Sequence, residues 1–193
     1  TKLNSMKKQI LNFRFGTLCV IVLAAGILRL IPQPQNFGPI GAMALFGGAY
    51  FGKKWQAFLI PLAALLISDL VLNFAFYREF VLFHEMAVWV YGAFAINVLI
   101  GIALLKKVKT SSVITANIIA SLLFFTITNF GVWASPNIMN IYPSNAAGLT
   151  ACYIAGIPYL WGTLVGNLFY SALLFGIFEY AQKKYPVLAI RTA

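Results

Sequence analysis

Six runs of apolar residues, separated by short polar or proline-bearing gaps, make up most of the chain. They cover residues 15–31, 37–51, 55–76, 87–105, 111–133 and 157–178. A helix that crosses a bilayer needs about 20 apolar residues, with a range of about 17–25. The pattern therefore predicts an all-α membrane protein, a bundle of six transmembrane helices in one integral-membrane domain spanning residues 1–193. The second run is short and rich in glycine, which points to a broken or partly inserted helix. Pro32, Pro34 and Pro39 bracket the first gap, and Pro136 and Pro143 punctuate the fifth. Pro61 falls in the first turns of the third helix, where a missing donor costs little. Residues 134–156 are uncharged and half apolar, which predicts a lid-like loop folded back over the helices. Non-helical backbone at membrane depth survives only against protein or a water-filled cavity.

Charge orients the bundle. Lys2, Lys7, Lys8 and Arg14 precede the first run, and residues 1–14 read as a basic N-terminal segment. Lys53 and Lys54 fill the second gap, Lys106, Lys107 and Lys109 the fourth, and Lys183, Lys184 and Arg191 follow the last run. The first and fifth gaps hold no Lys or Arg, and the third balances Arg78 with Glu79 and Glu85. Lys and Arg are enriched in cytoplasmic loops. The alternation predicts both ends of the chain in the cytoplasm and places the odd-numbered gaps outside.

Composition agrees: 61% of the 193 residues are hydrophobic and 9% charged, against about 25% charged in a soluble domain. The net charge of +10 sits in short juxtamembrane groups that orient helices and contact anionic lipid. No nucleic-acid motif accompanies it, so no nucleic-acid partner is expected. Cys19 and Cys152 lie on different runs and read as small packing residues rather than a disulfide framework. The first run resembles a signal peptide but lacks the small-residue cleavage pattern, which reads as a retained helix. Gly48-x-x-x-Gly52 and Gly162-x-x-x-Gly166 mark close backbone approach, inside the monomer or against a partner protein.

Polar residues inside apolar runs are the candidates for chemistry. Arg29 and Asp69 both fall toward the outer end of their helices, at depths where a salt bridge would offset the burial of two charges. The pair is either a helix clamp or a charged wall of an external cavity. Asn73 lies one turn beyond Asp69. Thr126, Asn129 and Trp133 share one face of the fifth helix. Asn36, Tyr142, Asn145 and Tyr153 adjoin from the loops. Such a convergence suits an organic ligand, and it equally suits an aromatic belt with interhelical hydrogen bonds. His84, the sole histidine, is either a solvated loop residue or a ligand or metal contact. The ligand-binding set read from sequence is Arg29, Asn36, Asp69, Asn73, His84, Asn129, Trp133 and Tyr153, with no metal site. His84-Glu85-Met86-Ala87-Val88 fails the H-E-x-x-H pattern. No nucleophile elbow or P-loop is present, and no catalytic residue is assigned.

These features resemble a known class. The stretch from Arg29 through Pro32, Pro34, Asn36, Gly38 and Gly41 to Phe51 is similar to a family of small bacterial membrane proteins. So are Ser68-Asp69-Leu70, Thr128-Asn-Phe-Gly-Val-Trp133, Ala147-Gly-Leu-Thr-Ala-Cys-Tyr153 and Gly166-Asn-Leu-Phe-Tyr170. That family resembles the substrate-binding S components of energy-coupling-factor vitamin transporters. The resemblance implies capture of a small organic molecule, a vitamin for example, outside the bacterial inner membrane. It also implies a transporter transmembrane subunit with ATPases as partners. Residues 15–31 lack the Ala-x-x-x-Ala docking pattern of many S components, which leaves acting alone as the other option. Some S-component-like proteins bind cobalamin, which makes cobalamin a candidate ligand with His84 or Cys152 toward cobalt. No resident cofactor is identified. The rival reading is a structural or accessory subunit of a larger inner-membrane complex.

Overall fold

The computed structural model describes residues 2–78, 83, 85–135 and 141–189, with side chains from residue 13 onward apart from residues 76 and 77. Six α-helices and no strand occur among these residues. They are α1 (Lys2–Leu28), α2 (Ile40–Tyr50), α3 (Lys54–Tyr77), α4 (Ala87–Leu104), α5 (Thr110–Ala134) and α6 (Ala146–Lys184). A single 3-10 turn, Pro186–Leu188, follows. Of the six, α3, α4, α5 and α6 are long and apolar enough to cross a membrane. Large apolar side chains such as Val20, Leu59, Leu99, Leu122 and Phe169 face outward, as a lipid environment requires.

The shortest helix sits in the middle. The chain of α2 is apolar all round, and a helix of that kind is buried. Residues Gly41 to Gly47 and Tyr50 are all buried, with α4, α3 and α6 packed around them. Glycine permits this. A Cβ on Gly101 of α4 would stand 2.6 Å from the Leu45 carbonyl, and one on Gly48 would stand 2.7 Å from the Ile102 nitrogen. Below, Phe46 and Tyr50 interlock with Phe175 and Phe178 of α6 at ring separations of 4.6–5.7 Å. The 11 residues of α2 rise about 16 Å at about 1.5 Å each, roughly half of a hydrocarbon core of about 30 Å. Its N-terminus therefore lies deep in the bundle, and residues 29–39 descend to it as irregular backbone.

One expectation needs correction. Residues 134–156 are not one lid-like loop. Residues 136–140 lie outside the described residues, but Ala146 onward is already α6. Asn145 sets this start: its side chain accepts the Gly148 amide at 2.9 Å, a helix N-cap. Pro158 thus stands inside the 39-residue helix rather than at its beginning. The basic N-terminal segment also has a buried member, Arg14. The helix α1 runs through that segment, and Arg14 is 5% exposed. Its guanidinium donates to the carbonyls of Leu188 and Tyr50, and so ties the middle of α1 to the ends of α2 and of the C-terminal turn. The side chains of Lys2, Lys7 and Lys8, and all of Arg191, lie outside the described residues.

The bundle has two distinct ends. Lys106, Lys107, Lys183 and Glu179 border one shallow depression, on the same end as Tyr50 and Leu188. At the other end lie residues 29–39, Met86 and the Ile141–Tyr142 segment, which together surround a cavity.

Candidate functional site

The ion pair expected between α1 and α3 is formed. Arg29 donates from Nη2 to Asp69 Oδ1 at 2.6 Å, with both side chains about nine-tenths buried. The same guanidinium reaches the Ser68 hydroxyl and the Leu65 carbonyl. Tyr91 of α4 donates to Asp69 Oδ2 at 2.8 Å. The carboxylate is thereby consumed on both oxygens, and three segments are tied together. Arg29 borders the cavity, but Asp69 does not. Of the two readings left open above, the clamp describes Asp69.

The cavity measures about 970 Å³. Its rim is residues 30–36 on one side and Ile141 and Tyr142 on the other. Two features hold the rim. Gln33 bridges the Leu28 carbonyl at 2.5 Å and the Tyr170 hydroxyl at 2.9 Å. Trp133 donates its indole N–H to the Pro143 carbonyl at 3.1 Å. The glycines of α6 shape the wall. A Cβ on Gly166 would lie 2.9 Å from the Gly38 nitrogen, and one on Gly162 would collide with the Gln35 carbonyl. The descending segment therefore runs along the Gly162–Gly166 stripe. Both this stripe and Gly48 serve packing inside the monomer.

At the floor the cavity meets the N-terminus of α2 and the buried amides of Asn97 and Asn167, while a third buried amide, Asn117, lies outside its lining. Asn167 of α6 accepts the Gly41 amide at 3.1 Å and donates to Ser121 of α5 at 2.9 Å. Asn117 of α5 accepts the Ser171 hydroxyl at 3.0 Å and donates to the Val113 carbonyl at 2.8 Å. Asn97 of α4 differs. It lines the cavity, has no exposed surface, and neither its amide nitrogen nor its carbonyl oxygen has a hydrogen-bond partner among the described residues. No Asp or Glu borders the cavity among the described residues.

Of the residues proposed from sequence, Arg29, Asn36 and Asn129 border the cavity. Asn36 turns the backbone with φ 57°, a left-handed conformation that asparagine tolerates. Asp69, Asn73, Trp133 and Tyr153 are not among the lining residues. Trp133 holds the rim instead, and Tyr153 donates to the Thr126 carbonyl at 2.8 Å across α5 and α6. His84 lies outside the described residues. The face of α5 is also corrected. Phe124, Thr128 and Val132, four apart, line the cavity with Asn129. Thr126 does not, and its hydroxyl back-bonds to Leu122. Cys152 borders the cavity and donates to the Asn129 carbonyl at 3.3 Å.

Asn97, Asn167 and Thr163 went unassigned in the sequence reading. A signal was there. Asn97 is the one amide in the apolar run of α4, and Asn117/Ser121 and Asn167/Ser171 are matched pairs four residues apart on facing helices. Intramembrane polar groups gather where they have partners or work to do.

No curated protein and no solved structure matches this sequence. A family model does, over residues 9–188, and the chain belongs to that family, DUF6580, a family of unknown function.

Proposed function

We propose that this protein is a membrane-embedded, S-component-like binding protein that captures a small organic molecule from outside the bacterial inner membrane. The bundle crosses six times, with both ends of the chain cytoplasmic, and the cavity faces outward because it lies opposite the lysine-bearing end. The observation that carries the reading is the 970 Å³ cavity, whose floor holds an amide without a partner. Small-molecule sites run from about 300 to 1,000 Å³ and combine apolar walls with a few placed polar groups. This cavity fits that description. It has Phe37, Phe124 and Tyr159 on its walls and polar groups concentrated below. Broken helices at the bilayer midplane are also where transport proteins place their binding sites, and the N-terminus of α2 lies at that depth.

The accessory-subunit reading drew on the glycine faces. Gly48, Gly162 and Gly166 meet backbone within the monomer, which weakens that support, while Gly52 is exposed. Partners such as an energising subunit with ATPases remain part of the proposal, as does solitary action. Cobalamin stays among the candidate ligands through the family resemblance.

A ligand in hundredfold excess over its dissociation constant stabilises its receptor by about 2.7 kcal/mol. Thermal-shift screening of vitamins and cofactors, cobalamin included, against the nanodisc-embedded protein should therefore yield a hit. Asn129→Leu should weaken it. A flat response to the whole set, together with unimpaired folding, would argue against the binding role.

A further inference from the structure

We infer that the cavity selects a neutral molecule carrying an amide edge, a donor and an acceptor side by side, as in a primary amide, lactam or ring imide. This rests on the proposal that the cavity is a ligand site, and it names what that site recognises.

The inference starts from the contrast among three buried amides. Asn117 and Asn167 have both ends of their carboxamides bonded, Asn167 to α2 and α5, and Asn117 to Ser171 of α6 and to the Val113 carbonyl of its own helix. The fold thus has the hydroxyls and backbone groups to satisfy buried amides where packing alone is at stake. Asn97 is as deeply buried, at 0% exposure, and no described protein group serves either end. A buried polar group without a partner is costly, and such a group beside a cavity is explained by something the cavity admits.

The chemistry of that guest follows from what Asn97 offers. Its carboxamide has an N–H donor and a carbonyl acceptor in one plane. A carboxylate would satisfy the donor and confront the acceptor with another negative oxygen. An ammonium would satisfy the acceptor and oppose the donor. An amide edge answers both, by the same bidentate geometry with which asparagine reads a base edge. The surroundings agree. No described acid borders the cavity to attract a cation. Arg29 does border it, but its charge is already matched by Asp69, so an anion gains little from it. Thr128 and Thr163 have donated their hydroxyl protons to the carbonyls of Phe124 and Tyr159. Both can only accept from a guest, which again favours a molecule with N–H groups of its own. Because Asn97 has no exposed surface in this structure, its carboxamide reaches a guest through a small shift toward the cavity.

The test compares three compounds on one scaffold, each at millimolar concentration with the full chain in nanodiscs: 2-naphthamide, 2-naphthoate and 2-naphthylmethylamine. We expect the amide to bind at least tenfold more tightly than the other two. Asn97→Leu should remove that preference, and so should the milder Asn97→Ser, which keeps a polar group but breaks the paired edge. If naphthoate or the amine binds as well as the amide, or if amide binding is unchanged in both variants, the inference is wrong while the pocket stands. If none of the three binds and extraction of the purified protein releases no small molecule, the binding role fails and this inference with it.

Discussion

Replacing Asn97 by leucine should make the protein more stable. Leucine branches at the same carbon and has about the same shape, so it can occupy the position without a new cavity. What it removes is a carboxamide with neither end bonded to a described protein group. Each buried unsatisfied group costs about 1–3 kcal/mol, which sets an upper bound of about 2–6 kcal/mol for the relief. Imperfect packing of the new methyls returns up to about 1.5 kcal/mol, as volume-conserving core swaps do. The net expectation is a gain of about 1–3 kcal/mol. A matched control is Asn167→Leu. It strips the Gly41 amide and Ser121 of their partner and should cost about 1–3 kcal/mol. Equilibrium unfolding in detergent micelles, with protein free of added ligand, measures both. If Asn97→Leu destabilises by more than about 1 kcal/mol, the size of a lost structural hydrogen bond, then Asn97 is an ordinary packing residue and the reasoning fails. A residue that costs stability in the free protein is what a binding site often contains.

Other consequences can be checked alongside. Asp69→Leu leaves Arg29 about nine-tenths buried without its counter-ion and should cost about 3–5 kcal/mol, whereas Arg29→Met with Asp69→Leu should cost much less; equal losses for single and double variants would refute the clamp. Gly101→Val drives a side chain into the Leu45 carbonyl of α2 and should cost about 1–3 kcal/mol or more as overpacking, read from the unfolding midpoint. Single cysteines at Gln35 and Lys107 should react with an impermeant thiol reagent from opposite sides of oriented vesicles, and reaction from the same side would overturn the six-crossing topology.

Most of the helices were legible because their apolar runs are long and their ends are marked by charge or proline. Where local chemistry overrode that pattern, the sequence misled. Pro136 and Pro143 suggested a loop up to residue 156, yet the Asn145 cap, two residues after Pro143, starts the helix, with Pro158 absorbed into its interior. The Arg29–Asp69 pair was legible because two opposite charges at one depth have few alternatives. The cavity floor was not. Which face of α5 turns inward depends on helix rotation, and a step from Thr126 to Thr128 changes the face by more than half a turn at about 3.6 residues per turn. Likewise, Asn97, Asn117 and Asn167 look alike as buried amides in a sequence. Only packing distinguishes the two that are bonded from the one that is not.

The central claim is that the cavity holds a small molecule, and the most direct measurement is mass spectrometry of what the protein carries from the cell. The native chain and Val90→Trp, which places an indole in a residue position lining the cavity, should be purified in parallel and extracted. We expect a defined compound in stoichiometric amount from the native chain and its loss from a folded Val90→Trp. The same compound in equal amount from both proteins, or none from either, would contradict the claim.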